Sequence, residues 1–206
     1  TYADAVAIIP ELKKISMPRI DLLQYLRFKG NFTGFINDFV TYGTLETNLG
    51  TVVSDVNMKF PRKGNASYAG TIQTSDFALG RFIETSEIGN ISFKGKVSGN
   101  GFRGENLTAQ LDGIVSKLTA YGYDYQNITV KGTIAKKLFN GELTSGDPNL
   151  DATLTGLVDF SKKEPKFDFN ASVAKANLKK INLTKDDIEF AGKFRFDFSG
   201  NTIDNF

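Results

Sequence analysis

Few stretches of this chain carry residue types that could do chemistry. Asp147, Asn149 and Asp151 have the spacing of the first three ligands of a calcium loop, where alternate oxygens of one turn converge on the ion. Ala152 stands where such a loop needs glycine, and Val158 where its closing carboxylate belongs, so the segment reads instead as a turn between strands. Asp186 and Asp187 would make an acid/base pair only if both reached one substrate. Neighbouring strand residues face opposite ways, which makes solvated charges the better reading. Tyr121, Tyr123 and Tyr125 alternate and could stack bases or sugars, or could stiffen a strand through cross-strand packing, which is the reading adopted. Asn31, Asn65, Asn90, Asn106, Asn127, Asn170 and Asn182 head glycosylation-type triplets, at a frequency that a strand-rich chain full of Asn, Ser and Thr reaches by chance.

The missing residues narrow the chemistry further. With His 0 and Cys 0, the chain can build neither a Ser-His-Asp nor a Cys-His nucleophile, nor an ordinary zinc site, nor a disulfide. No catalytic residue, metal or cofactor is implied, and the expectation is a protein that is not an enzyme. Lys and Arg total 25 against 23 Asp and Glu, interspersed, for a net charge of +2. No basic stripe exists to meet a phosphate backbone, so nucleic acid is not an expected partner.

At the level of whole elements, the dominant signal is an alternation in which glycine keeps step with the apolar residues. Leu26, Phe28, Gly30, Phe32 and Gly34 share one parity, as do Ile91, Phe93, Gly95, Val97 and Gly99. The pattern returns at Leu107 to Val115, Ile128 to Ile134, Leu154 to Val158 and Phe190 to Phe198. A strand points successive side chains to opposite faces, so each segment has one apolar face with a gap in it and one polar face. The spacing predicts about a dozen strands of about seven to nine residues, joined as antiparallel hairpins. Turn signals lie at Pro61 to Asn65, Gly99 to Gly101, Gly146 to Asn149 and Lys162 to Pro165.

Only the N-terminus reads as helical. Val6, Ile8, Ile9, Leu12 and Ile15 form a stripe with Asp4 as its candidate cap, Pro10 limits it to short turns, and another turn is expected from Asp21 to Tyr25. The expected organisation is a short helical cap over residues 1–25, covering one end of the sheet, and a continuous β segment over 26–206. No apolar run approaches the roughly 20 residues of a membrane-spanning helix, and the chain reads as an internal piece of a longer protein.

An inward glycine costs about 0.5–1 kcal/mol relative to alanine. Two reasons offset that: a sharp bend toward the apolar face, or close approach of another molecule to the backbone. Both suit a mainly β, elongated, curled antiparallel sheet with a U-shaped hydrophobic groove. Its expected lining is Phe28, Phe32, Val56, Met58, Ile72, Phe93, Val97, Leu107, Leu111, Ile128, Val130, Ile134, Leu154, Val158, Phe167, Phe169, Phe194 and Phe196. The expected groove glycines are Gly30, Gly70, Gly95, Gly132, Gly156 and Gly192, and the inner surface is expected not to be filled by its own side chains. A β-sandwich, whose second sheet fills the core, would also account for the bends. An acyl chain is the natural guest of a groove, since each methylene kept from water is worth about 0.8 kcal/mol.

Longer stretches carry a resemblance. Asp4 to Phe32, with Pro10-Glu-Leu, Met17-Pro-Arg-Ile20 and Leu26 to Gly34, is similar to the middle of TamB-like proteins of the AsmA superfamily, in particular those of Bacteroidota. The similarity continues through Tyr42 to Gly50, Tyr68 to Gly70, Phe77 to Gly80, Tyr121 to Ile128 and Ala174 to Leu183. The resemblance implies a β-taco that shields phospholipid or another acyl-chain amphiphile while it crosses the periplasm between inner and outer membranes. It also implies a full-length protein anchored in the inner membrane, an outer-membrane barrel partner of the TamA/BamA type met through regions outside this chain, and a role in outer-membrane protein assembly. The competing readings are a noncatalytic structural or adhesive extracellular β-solenoid or sandwich with a self-filled core, and part of an outer-membrane barrel, which the charged polar faces disfavour.

Overall fold

The computed structural model describes residues 1–8 (residue 8 by its backbone), 10, 13, 19–101, 106–159, 161 and 166–199. Eleven strands form one sheet in the order of the sequence: β1 (Leu26–Phe35), β2 (Asp38–Thr47), β3 (Gly50–Lys59), β4 (Ser67–Ser75), β5 (Ile88–Asn100), β6 (Thr108–Ala120), β7 (Tyr123–Ala135), β8 (Leu138–Asp147), β9 (Leu150–Asp159), β10 (Lys166–Asn177) and β11 (Glu189–Ser199). Every neighbouring pair is antiparallel, and β1 and β11 do not meet, so the sheet is open. The strands run to between 9 and 13 residues, longer than the sequence pattern predicts. Gly99 and Asn100 belong to β5, and Gly146 and Asp147 to β8, so two of the expected turns begin later than their composition suggests. The turn expected at Lys162 to Pro165 lies outside the described residues.

Substantial contact between strands occurs only between sequence neighbours, and no second sheet faces the first among the described residues. The sandwich reading is thereby overturned. A sandwich packs two inner faces about 10 Å apart, whereas here one meander presents a single apolar face along its length.

Register keeps that face in phase. Four rows cross the sheet. Phe28, Leu45 and Val52 open the first, which continues through Phe93, Val115, Ile128, Ser145, Ala152 and Val173 to Gly192. Gly30, Gly43, Ser54, Ile72, Gly95, Gly113, Val130, Leu143, Leu154, Ala171 and Phe194 make the second. Phe32, Thr41, Val56, Gly70, Val97, Leu111, Gly132, Gly141, Gly156, Phe169 and Phe196 make the third. The fourth holds Gly34, Phe39, Met58, Tyr68, Gly99, Ala109, Ile134, Phe139, Val158, Phe167 and Phe198. Bulges in β5, β6 and β10 shift the register near one set of strand ends. Beyond the bulge, Leu118 pairs with Tyr125 and Ala120 with Tyr123, which extends the apolar face past its first row.

The opposite face carries the charges, in cross-strand ion pairs such as Lys59 with Asp38 (3.2 Å), Lys166 with Asp197 (3.1 Å) and Arg195 with Asp168 (3.1 Å). All are largely exposed, and pairs of this kind contribute about 0–1 kcal/mol each. Their main effect is on which face meets water.

Glycines stand opposite glycines in the middle rows: Gly30 with Gly43, Gly95 with Gly113, and Gly132 with Gly141 and then Gly156. The space left by the missing side chains is partly occupied, which corrects the expectation of an unfilled inner surface. A Cβ built on Gly95 would lie 2.5 Å from the Phe93 ring, and one on Gly113 would meet the same ring at 2.5 Å. The Phe139 ring covers Gly132 and Gly141 in the same way, at 2.6 and 2.9 Å, and Phe28 covers Gly30 and Gly43 at 3.0 Å. Each ring reaches over its pair of glycines, gaining contact with backbone that a Cβ would deny it. Gly70 differs, because a Cβ there would meet the Asp55 and Val56 backbone; the close approach is of strand to strand.

The helical content departs from expectation in one place. α1 (Tyr2–Ile8) and a 3₁₀ turn at Ile20–Leu22 fall within the expected cap, whereas Ile9, Leu12 and Ile15 of the expected stripe lie outside the described residues. Asp4 sits inside α1 and is not its cap; its N–H donates to Thr1 Oγ1 at 3.4 Å. α2 (Leu79–Ile83) was not legible as a helix, since a single turn shows no periodicity. It fills the β4–β5 connection and receives the cap: Arg19 N–H donates to the Phe82 carbonyl at 2.8 Å, and the Arg19 guanidinium pairs with Glu84. Asn48, in the β2–β3 turn, holds the same segment by accepting from Gln24 N–H (2.9 Å) and donating to the Leu22 carbonyl (3.0 Å).

Gly95→Ala tests the glycine floor. The added methyl would meet the Phe93 ring, the Asp112 carbonyl oxygen (2.6 Å) and the Gly113 Cα (2.6 Å) together, two of which are backbone that cannot swing aside. Urea unfolding is expected to show a loss of about 1–3 kcal/mol, whereas alanine at an ordinary exposed strand glycine would be neutral or stabilising.

Candidate functional site

The four rows define a continuous apolar trough, and the expected lining residues fall on it without exception among the strands. Phe28, Phe93 and Ile128 belong to the first row; Ile72, Val130, Leu154 and Phe194 to the second; Phe32, Val56, Val97, Leu111, Phe169 and Phe196 to the third; Met58, Ile134, Val158 and Phe167 to the fourth. Leu107 immediately precedes β6 and extends the same parity past the fourth row. The expected glycines lie on this face as well, Gly192 in the first row, Gly30 and Gly95 in the second, and Gly70, Gly132 and Gly156 in the third.

Accessibility shows which way the sheet curls. Among the described residues no layer covers Val97, Leu111, Ile134 and Val158, yet each is only partly exposed. Apolar residues on the other face, such as Ile114 at 58% and Val53 at 42%, are open to water. Side chains on the trough face therefore crowd one another, as on the inside of a bend. Phe28 at 44% and Phe32 at 50% are the exceptions, and they lie on the outermost strand, β1, where no further strand shelters them.

The 178–188 loop gives a second measure of curl. It leaves β10, yet Ile181 is 1% exposed and packs with Phe93, Val115, Tyr125 and Ile128 of β5 to β7. β10 and β7 are three strand spacings apart, about 14 Å in a flat sheet. The loop turns tightly: Lys180 N–H donates to Asn177 Oδ1 at 2.9 Å, and Leu183 N–H to the Leu178 carbonyl at 2.9 Å. So short a turn reaches β7 because the sheet curves toward the trough and Tyr125 extends to meet it, its hydroxyl donating to the Ile181 carbonyl at 3.4 Å. Asn182 Nδ2 fastens the loop to the Tyr121 carbonyl at 3.2 Å.

The chemistry-bearing candidates resolve into structure. Asp147 is 1% exposed and accepts from the Tyr123 hydroxyl (2.7 Å), Gln126 N–H (3.0 Å) and Asn149 N–H (2.8 Å). Its oxygens organise the β8–β9 hairpin and anchor β7. Asn149 donates to the Tyr123 hydroxyl at 3.0 Å, so this triplet is a hydrogen-bonded turn. Asp186 and Asp187 lie in the loop before β11 and not in a strand, exposed, which corrects the reason for setting them aside though not the reading. Tyr121 occupies the β6–β7 turn at φ +50°, outside the alternation. Tyr123 and Tyr125 pack edge to face at 4.8 Å on the trough side. Burial pushes the Tyr125 phenol up to about 12. Among the described residues no group of three or more acidic side chains could hold a metal ion, and no helix is long and apolar enough to cross a membrane.

The opposite face is dimpled too. A hollow of about 630 Å³ opens over β4 to β7 between Thr71, Lys96, Ser98, Gln110, Asp112, Lys131 and Thr133, with the backbone of Gly70, Val97, Leu111 and Gly132 as its floor. A twisted sheet is saddle-shaped, so each face is concave along one diagonal. The hollow is open, walled by mixed charges and hydroxyls, and its one carboxylate lies beside two lysines in the ordinary alternation of an exposed face.

Reading the sequence missed Leu45, Phe139, Leu143, Tyr68 and the rim residues Leu178, Ile181 and Leu183. In β2, Phe39 and Leu45 share the trough parity, but Val40 and Tyr42 on the other face blur the alternation. Phe139, Gly141 and Leu143 repeat the glycine-in-step pattern and were findable. Ile181 carried no such signal, because its burial comes from a loop folding across the sheet.

No family model, no curated protein and no solved structure matches this chain.

Two measurements check this geometry. Asp147→Ala leaves a hydroxyl and two part-buried N–H groups without their acceptor, and is expected to lower stability by about 1–3 kcal/mol in denaturant titration. Tyr125 keeps its proton in the folded chain beyond the ordinary phenol value of 10.0. The unfolded chain gives up that proton first, so stability is complete below pH 10 and falls as pH rises toward about 12. Tyr125→Phe is expected to flatten that fall, read as urea midpoints at successive pH values.

Proposed function

We propose that this chain is a noncatalytic segment of a lipid conduit, which holds the acyl chains of phospholipids in its trough while they cross the aqueous space between inner and outer membranes. The observation that carries the reading is the apolar face that runs through all eleven strands with no second sheet upon it among the described residues. Exposed apolar surface of this extent forfeits roughly 25 cal/mol per Å² unless something covers it. Acyl chains suit the role because they are long, apolar and continuous, as the trough is. The sequence resemblance to TamB-like proteins of the AsmA superfamily supports the same reading. On it, the protein belongs in the periplasm as part of an inner-membrane-anchored whole, and an outer-membrane barrel of the TamA/BamA type is met through other regions.

Charge placed in the trough tests this. Val97→Asp or Phe169→Arg would set an ion against methylenes, at a cost of several kcal/mol unless the lipid leaves. Lipid extracted from detergent-free preparations and counted by mass spectrometry is expected to fall at least about tenfold per protein, while Thr133→Asp on the opposite face leaves it unchanged. Wild-type protein that carries no amphiphile and takes up no fluorescent phospholipid would overturn the proposal, as would full loading of the charged variants.

A further inference from the structure

Two independent features distinguish the rims of the trough. On one rim, the 178–188 loop folds inward and seals the first row over β5 to β7: Ile181 is 1% exposed, with Leu178 and Leu183 packed beside it. The other rim has no such cover among the described residues, and Val97, Leu111 and Ile134 of the third and fourth rows remain partly open. That open rim is basic. Its β3–β4 turn displays Arg62 and Lys63 and its β7–β8 turn Lys136 and Lys137, all exposed. The described carboxylates beside it are engaged, Asp38 with Lys59 at 3.2 Å and Asp159 with Ser161 N–H at 2.8 Å. The sealed rim, by contrast, mixes Glu84, Glu87, Asp186 and Asp187 with Lys179, Lys180 and Lys185.

We infer that the guest lies to one side of the trough, with acyl chains along the third and fourth rows and a phosphodiester headgroup at the rim of the β3–β4 and β7–β8 turns. The inference rests on the lipid-conduit reading and adds the orientation and the headgroup class. A headgroup phosphate at this rim meets a pair of cations at either turn, Lys136 and Lys137 or, farther along the same rim, Arg62 and Lys63, in contacts that salt weakens because the side chains are exposed. Tails cannot enter the first row over β5 to β7 without expelling Ile181. The loop is thus a fixed partition that narrows the path and turns the lipid toward the basic rim.

Methyl NMR of the wild-type chain with phosphatidylglycerol bearing a nitroxide on its acyl chain reads the placement without any substitution. The methyls of Val97, Leu111, Ile134 and Val158 are expected to broaden, and those of Val115, Ile128 and Ile181 to keep most of their intensity. Broadening of neither set would overturn the conduit reading and this inference together; equal broadening of both sets would overturn the placement alone. Ile181→Gly is expected to extend broadening to Ile128, and should that variant not fold, the wild-type comparison decides. For the headgroup, the wild-type chain is expected to bind phosphatidylglycerol at least about fivefold more tightly than diacylglycerol with the same chains. Reversal of the rim in Lys136→Glu/Lys137→Glu is expected to reduce that ratio below about twofold. Equal affinity of the wild-type chain for both lipids, or a ratio untouched by the reversal, would overturn the headgroup assignment.

Discussion

Everything in this molecule depends on parity held through ten successive hairpins. Because side chains alternate with a period of two, a slip of one residue at any turn would carry every apolar side chain of the next strand to the water-facing side. The register shows no such slip in the four rows from Phe28 to Phe194. Where the ladder does gain a residue, in β5, β6 and β10, it does so near the rim bearing α2 and the 178–188 loop. There the bulges bring Leu118, Ala120 and the two tyrosines onto the trough side.

Glycine and phenylalanine act as a pair within that frame. Glycine alone would weaken a strand through backbone entropy, and phenylalanine alone would stand out from a curved surface and collide across it. Together, the ring lies down in the space beside its strand neighbour's bare Cα, as Phe93 does over Gly95 and Gly113 and Phe139 over Gly132 and Gly141. The same arrangement explains how an apolar face that no other described layer covers can be only partly exposed over most of its length.

Polar groups secure the rims more than the middle. Asp147 ties β7 to the β8–β9 hairpin through three donors, Asn48 ties the cap segment to the β2–β3 turn, and Asn182 ties the long loop to the β6–β7 turn. The last two cross between pieces that the ladder does not join. Hydrogen bonds of this kind contribute about 1 kcal/mol or more when made and cost more when one partner is lost, so they fix the outline of the trough while the ladder and the rows fix its floor.

The amino-acid sequence by itself determined the strands, their antiparallel order and which face is apolar, since alternation is a local property that each segment states independently. It showed Phe28, Val97, Ile134 and Phe167 as trough residues because their neighbours two positions away agree. It did not show whether the apolar faces of distant strands would meet one another, since sandwich and curled sheet share the same alternation; the pairing of each strand with its neighbour alone decided that. Nor did it show α2, too short for a period, or Ile181, a loop residue buried only because the sheet brings β7 within reach of β10. Tertiary structure decided the curl, the partition and the filling of the glycine gaps, for each depends on distances between residues that the sequence places far apart.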